Sequence, residues 1–259
     1  VAIRVPLSRT SIVPRASCPL FTCTVASNTA STGTGGGIYD GGYTGIYRNT
    51  TIAANHASVG GGLYASGSDI GNTLIAANTG GSGRDLKGIF FSSDYNLIEY
   101  ANGWVNIGPI TYTILSQDPM LGPLQNNGGP VPTMALLPGS PAIDHGTNFG
   151  IFTDQRGRLR PLDFSEVANA VGGNGADIGA FELSSPLLHI ARSGANVGIS
   201  WSTNEPAFQL QATANLGTSA FWSNVTVTPT ISSNRFIVTD PLQTRRFYHL
   251  PTQPYPSLL

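Results

Sequence analysis

Thr51-Ile52-Ala53-Ala54-Asn55 and Leu74-Ile75-Ala76-Ala77-Asn78 stand 23 residues apart, and Leu97-Ile98 follows after another 23. Upstream, Thr24-Val25-Ala26-Ser27-Asn28 has the same form. Each is a short strand-like run closed by Asn. Between them lie Gly35-Gly36-Gly37-Ile38-Tyr39 and Gly60-Gly61-Gly62-Leu63-Tyr64, so one repeat reads strand, Asn turn, Gly run, second strand. Leu63 and Leu86 follow Asn55 and Asn78 by eight positions and Ile38 follows Asn28 by ten, which places a two-residue insertion in the first repeat. No helical period survives such glycine density. A repeat this short cannot bury its own apolar face, but copies stacked at about 4.8 Å share one core and pair each backbone with the next rung. The pattern predicts an all-β fold, a right-handed parallel β-helix. Its apolar column is Ile52, Ile75 and Ile98, and its Asn column is Asn28, Asn55 and Asn78. Asn suits the turn because it tolerates left-handed backbone and because stacked carboxamides hydrogen-bond along a column. Gly suits the tighter corner, where φ is positive.

Composition narrows the class. Charged residues are 10% of the chain, against about 25% in ordinary globular proteins. The 32 glycines and the low charge suit extracellular β-structure, and the net charge of −1 offers no basic stripe for a phosphate backbone, which argues against nucleic acid as a partner. No run approaches the roughly 20 apolar residues of a membrane-spanning helix. Residues 1–17 contain no leader-like apolar core and do not continue the rung pattern, so upstream sequence is expected to precede Val1. Cys18 and Cys23, five positions apart, would point to opposite faces of a strand and are read as buried thiols rather than a disulfide.

Three motifs carry a resemblance. The first is Gly83-Arg84-Asp85-Leu86-Lys87-Gly88 leading into Asp94-Tyr95-Asn96-Leu97-Ile98. The second runs from Asp118-Pro119-Met120-Leu121-Gly122-Pro123-Leu124 through Asn127-Gly128-Gly129-Pro130 to Leu136-Leu137-Pro138-Gly139-Ser140-Pro141-Ala142-Ile143-Asp144. The third is Thr153-Asp154-Gln155-Arg156-Gly157, with Arg160-Pro161 and Ala176-Asp177-Ile178-Gly179-Ala180-Phe181-Glu182. Together they make residues 20–183 similar to the choice-of-anchor Q proteins, bacterial surface β-helices distantly similar to polymorphic outer-membrane proteins and the pectin-lyase-like superfamily. The resemblance implies an extracellular or cell-surface protein whose solenoid, residues 1–183, ends in a cap over about 115–183. A solenoid needs a cap, since its last rung exposes an apolar cross-section and an unpaired edge. Asp154, Arg156, Arg160 and Asp177 are expected to hold the cap loops by hydrogen bonds and ion pairs, a charged site being the other reading.

After Glu182 the glycine runs vanish. Alternating segments such as Val197-Gly198-Ile199-Ser200-Trp201 and Phe236-Ile237-Val238 predict a small β-sandwich over 184–259. Trp201, Phe221 and Trp222 are glycan-stacking candidates, with core packing the competing reading.

Candidate chemistry is thin. Asp69, Arg84, Asp85 and Lys87 are the only solenoid charges that could serve a pectate-lyase-like reaction, which needs a base beside the sugar and acids to hold calcium. Solvated charges on a turn are the plainer account. Gly172-Gly173-Asn174-Gly175-Ala176-Asp177 imitates a calcium-binding repeat, but Gly179 stands where a large apolar residue is needed, so Asp177 is a weak calcium ligand and no cofactor is expected. His56, His145, His189 and His249 are scattered, with no nucleophile pattern beside them. The expected function is a secreted or cell-surface structural, adhesin-like protein without enzymatic activity. The alternative is a polysaccharide-active enzyme or carbohydrate-binding protein. Polysaccharides or cell-surface glycans are the expected partners.

Overall fold

Short runs with a branched residue at the centre stack as the walls of a solenoid. The computed structural model describes residues 2–3, 19–42, 45–137, 139–164, 167–184, 188–202, 208–217, 220–233, 235–243 and 245–250. Two compact units divide the chain: residues 1–136 with 140–183, and residues 137–139 with 184–259.

In the first unit Thr24–Ala26, Thr51–Ala53, Leu74–Ala76, Leu97–Ile98 and Ile114–Leu115 form successive parallel strands of one wall. Val25 lies opposite Ile52, Ile52 opposite Ile75, Ile75 opposite Ile98 and Ile98 opposite Leu115. Ala2–Ile3 joins the same sheet beside Thr24–Val25, so residues set outside the repeat by their sequence still supply a strand, because ladder pairing is made by the backbone. A second wall stacks Leu20–Phe21, Ile46–Arg48, Leu63–Gly71, Leu86–Asp94 and Trp104–Asn106. Ile38–Asp40 adds to the start of Leu63–Gly71. A third, shorter wall pairs Thr29–Thr34 with His56–Val59. The lumen is apolar: Val25, Ile52, Ile75 and Ile98 meet Ile38, Leu63, Leu86, Ile70 and Phe90, all buried. Tyr39 and Tyr64 face outward in register, their rings stacked at 5.3 Å.

The Asn column is a hydrogen-bonded ladder. Asn28 Nδ2 donates to Asn55 Oδ1 at 2.9 Å, and Asn55 Nδ2 donates to Asn78 Oδ1 at 3.0 Å. The backbone N–H of each Asn donates to the same oxygen of the next, at 3.0 and 2.9 Å. The left-handed residue is the one before each Asn, with φ of 61° at Ser27, 57° at Ala54 and 55° at Ala77. Asn therefore serves as a buried hydrogen-bonding group here rather than as the αL residue. Left-handed Asn does occur at a different corner, at Asn49 (φ 51°) and Asn72 (φ 49°), where Asn72 Nδ2 donates to Asn49 Oδ1 at 2.8 Å. Glycine takes the positive-φ corner as expected, at Gly35 (68°), Gly60 (61°) and Gly83 (64°).

The segment expected to cover the solenoid's end packs along its side instead, where the outward-facing alanines of the first wall need cover. Leu121–Gln125 and Thr133–Leu136 form an antiparallel hairpin, and Leu121, Leu124 and Met134 pack on the outward-facing Ala26 and Ala53. Gln155 Oε1 accepts from Thr24 Oγ1 at 2.6 Å, Thr51 Oγ1 accepts from the Ala180 N–H at 3.0 Å, and the Asn72 carbonyl accepts from Gly179 at 3.0 Å. The cap thus touches three successive rungs, and Thr24–Ala26, Thr51–Ala53 and Leu74–Ala76 are buried on both faces. Gly179 has φ 111°, and a Cβ there would stand 2.8 Å from Thr51 Oγ1. Close approach explains the glycine that breaks the calcium-repeat pattern.

The second unit has a four-stranded antiparallel sheet, ordered His189–Ser193, Asn196–Ser202, Arg235–Pro241, Thr230–Ser232. A three-stranded sheet joins Ser223–Asn224, Gln211–Thr213 and Phe247–His249. Ile199, Trp201 and Val238 are buried on the first sheet, and Ala212 on the second. No helix among the described residues is long and apolar enough to cross a membrane.

Candidate functional site

The solenoid candidates separate into different surroundings. Asp85 follows Gly83, whose left-handed turn brings the carboxylate under the Asn ladder. Its Oδ1 accepts the Asn78 N–H at 3.1 Å and Asn78 Nδ2 at 2.9 Å, and its Oδ2 accepts the Tyr100 N–H at 2.7 Å. The position 23 after Asn78 is Ala101, which has no carboxamide. Asp85 therefore ends the ladder in place of a fourth Asn. It has no exposed surface. Burial pushes its pKa up to about 6, against the hydrogen bonds from Asn78 and Tyr100 and with a push from Glu99.

A raised carboxyl pKa costs stability as pH rises. Unfolded Asp85 loses its proton near 3.8 and folded Asp85 near 6, so protonation stabilises the fold fully below the first value and this is lost as pH rises through the second. Asp85→Asn keeps an acceptor for Asn78, loses the Tyr100 bond and cannot titrate. In urea melts the wild-type advantage over Asp85→Asn is expected to shrink from pH 4 to 6.5 and stay flat above 7. A constant difference across that range would contradict the assignment.

Arg84 stacks on the Tyr100 ring, its guanidinium carbon 3.7 Å from the centroid. Tyr100 borders a groove of about 610 Å³ with Glu99, Ala101, Asn102, Ser116 and Asp118. Glu99 Oε2 accepts the Ala77 N–H at 2.7 Å, and Asp118 Oδ1 accepts the Met120 N–H at 2.7 Å. Lys87 lies in register with Tyr64, whereas Asp69 pairs with Ser92, five residues further along, about 16 Å of strand. Asp69 Oδ1 accepts from Ser92 Oγ at 3.0 Å. Its charge, with that of Asp94, offsets the burial that lowers the Arg48 pKa. Arg84 and Asp85 share one corner, while Asp69 belongs with Arg48. The four residues therefore do not converge. The groove beside Tyr100 is hidden in the sequence because Ser116 belongs to a rung whose strand, Ile114–Leu115, pairs with Leu97–Ile98 after 17 residues rather than 23.

The cap holds the densest charge. Arg156 Nε donates to Asp154 Oδ2 at 2.8 Å, its Nη1 donates to the Asn127 carbonyl at 3.2 Å, and its guanidinium lies 3.7 Å from the Phe181 centroid. Arg160 Nε donates to Glu182 Oε2 at 2.7 Å, and Nη2 to the Phe181 carbonyl at 3.0 Å. Asp177 Oδ1 and Oδ2 accept the N–H groups of Asp144 (2.9 Å) and Leu183 (2.5 Å). Burial, with Glu182 and Asp144 close by, raises the Asp177 pKa well above the usual carboxylate range. Burial also raises that of Glu182, and the Arg160 charge pulls it back. Backbone amides already occupy both oxygens of Asp177, so it is a poor calcium ligand. The described residues contain no group of three or more His, Cys, Asp or Glu arranged to hold a metal ion.

In the second unit Trp201 is 1% exposed and lies 5.5 Å from the Phe236 ring, so core packing is its role. Trp222 stacks on His249 with centroids 3.8 Å apart. Phe221 is 83% exposed, the one member of the trio with its ring bare. Elsewhere His56 contacts Thr79 and His145 contacts the Ile143 carbonyl. Cys23 is buried and donates to the Phe21 carbonyl at 3.1 Å, while Cys18 lies outside the described residues. Neither a protein-family model nor a curated protein nor a solved structure matches this chain.

Proposed function

We propose that this chain is a secreted or cell-surface structural protein of adhesive type, without enzymatic activity, and that its motifs make it a choice-of-anchor Q-like protein whose partners are polysaccharides or cell-surface glycans. One observation carries the reading: the side chains best suited to acid–base work are engaged by the fold. Asp85, Asp154, Asp177 and Glu182 each accept backbone N–H groups. Arg156 and Arg160 each donate to a backbone carbonyl as well as to a carboxylate. A catalytic group must be free to exchange its proton with substrate, and these are spent on holding loops. The low charge and the half-exposed pair of Tyr39 and Tyr64 leave neutral polar faces, which suit a displayed scaffold.

The groove at Tyr100, with Glu99 and Asp118 on its walls and Arg84 behind the ring, favours a second reading as a polysaccharide-cleaving protein. Incubation with polygalacturonate, with and without calcium, separates the two. No unsaturated or reducing-end product above the buffer rate is expected. Product formation that falls at least a hundredfold in Glu99→Gln would replace the adhesive reading with the enzymatic one.

A further inference from the structure

Arg246 is held in place but not used up. Its Nε forms an ion pair with Asp240 Oδ2 at 3.1 Å, yet its side chain keeps 26% of its surface in solvent. Asp240 also accepts the Tyr248 hydroxyl at 2.7 Å. Burial, and then this bond to the carboxylate, holds the Tyr248 phenol proton up to about 12. Asp240, itself held by the Tyr248 hydroxyl, anchors the Nε edge of the guanidinium by charge, and the Nη groups have no hydrogen-bond partner among the described residues. Paired Nη groups match a carboxylate in two parallel hydrogen bonds.

Arg246 lines a pocket of about 180 Å³ together with Phe221, Thr213, Ser223 and Gln243, and no carboxylate stands among the described lining residues. Arg245, next in the chain, is exposed, so the surroundings favour an anion. Thr213 Oγ1 donates to the Asn215 carbonyl at 3.1 Å, and Ser223 Oγ to the Ala212 carbonyl at 3.3 Å. Thr213 is buried, and its Oγ1 also accepts the Asn215 N–H at 3.3 Å, so Thr213 shapes the wall. Ser223 is exposed and, with its proton committed, offers its oxygen as an acceptor for a hydroxyl group. The pocket has the volume of about six liquid waters, comparable to one pyranose ring, and the bare Phe221 ring offers a stacking face.

We propose that this pocket binds one carboxylate-bearing sugar residue, a uronic acid of an acidic polysaccharide. The carboxylate meets the Nη edge of Arg246, the apolar face of the ring meets Phe221, and a sugar hydroxyl donates to Ser223. The proposal rests on the reading of this chain as a glycan-contacting surface protein and assigns that contact to the second unit.

Saturation-transfer NMR and titration calorimetry on the full 259-residue chain, with galacturonate, glucuronate, galactose, glucose and acetate as probes, test it. Both uronates are expected to bind with millimolar Kd, at least tenfold tighter than the neutral sugars or acetate. Arg246→Gln is expected to weaken uronate binding at least tenfold, and Phe221→Ala about fivefold. Phe221→Ala alters an exposed side chain, so it remains informative if Arg246→Gln does not fold. Equal binding of galactose and galacturonate, equal binding of acetate and galacturonate, or unchanged affinity in Phe221→Ala would overturn the proposal. A glycan array on the same protein tells the two failures apart. Glycans bound without preference for uronates would remove the pocket alone, and no glycan bound would remove the adhesive reading with it.

Discussion

Asn55→Ala is expected to destabilise the first unit by about 3–5 kcal/mol, from four buried groups each losing a hydrogen bond at about 1–3 kcal/mol, less relaxation. Asn55 Oδ1 accepts both the N–H and Nδ2 of Asn28, and its own Nδ2 donates to the Val25 carbonyl at 2.9 Å and to Asn78 Oδ1. Asn55 is 1% exposed, so water cannot take over. The loss falls in the middle of the ladder and therefore reaches the rungs on both sides. Tyr64→Ala is the comparison. It removes a half-exposed ring stacked on Tyr39 and is expected to cost about 0.5–1.5 kcal/mol. Urea unfolding, with amide hydrogen exchange of the rung strands to report the first unit alone, measures both. An Asn55→Ala midpoint equal to wild type would show that the stacked carboxamides are bystanders.

Arg160→Met is expected to cost the first unit about 3–5 kcal/mol at neutral pH, the penalty for removing one partner of a buried ion pair. Arg160 is 2% exposed and Glu182 fully buried. Glu182 accepts from Leu162 at 2.7 Å, Asp177 at 3.0 Å and Arg160 at 2.7 Å, and it shares its site with the Asp177 carboxylate. Without the guanidinium its pKa rises further, because the charge that pulled it back is gone. A carboxyl with a raised folded pKa favours the fold when protonated, so the gap between variant and wild type is expected to narrow as pH falls. Adding Glu182→Gln to Arg160→Met should recover part of the loss. A single variant as stable as wild type, or a double variant no better than the single, would remove the ion pair from the account of the cap.

The repeat was legible because its period is short and its columns are chemically distinct. Ile52, Ile75 and Ile98 enter the lumen, and Asn28, Asn55 and Asn78 form the ladder. A second Asn column, Asn49 and Asn72, has the same 23-residue spacing, but with two members and no repeated strand-like run before it the column is far less distinct in the sequence. The Ala residues of Thr51-Ile52-Ala53 and Leu74-Ile75-Ala76 also held a signal. A strand apolar at adjacent positions must be covered on both faces; both strands are, and the cap hairpin covers Ala53.

The candidate site was less readable. Asp85, Arg84 and Lys87 looked alike as charges on a turn, yet one is a buried acceptor, one stacks on Tyr100 and one stays on an outer face. Their roles depend on what faces them from the next rung, 23 residues away or from outside the repeat. For Asp85 the deciding fact is an absence, the Ala101 that leaves Asn78 without a carboxamide partner. By itself the sequence determined the solenoid, its columns and the texture change at residue 183, because these follow from periodicity and backbone preference along the chain. Tertiary structure alone decided that the cap lies along the side of the rungs, that its charges serve the backbone, and that Phe221 and Arg246 meet at one pocket. Those facts arise from contacts between distant segments, where burial and hydrogen-bond satisfaction are settled only once the chain has packed.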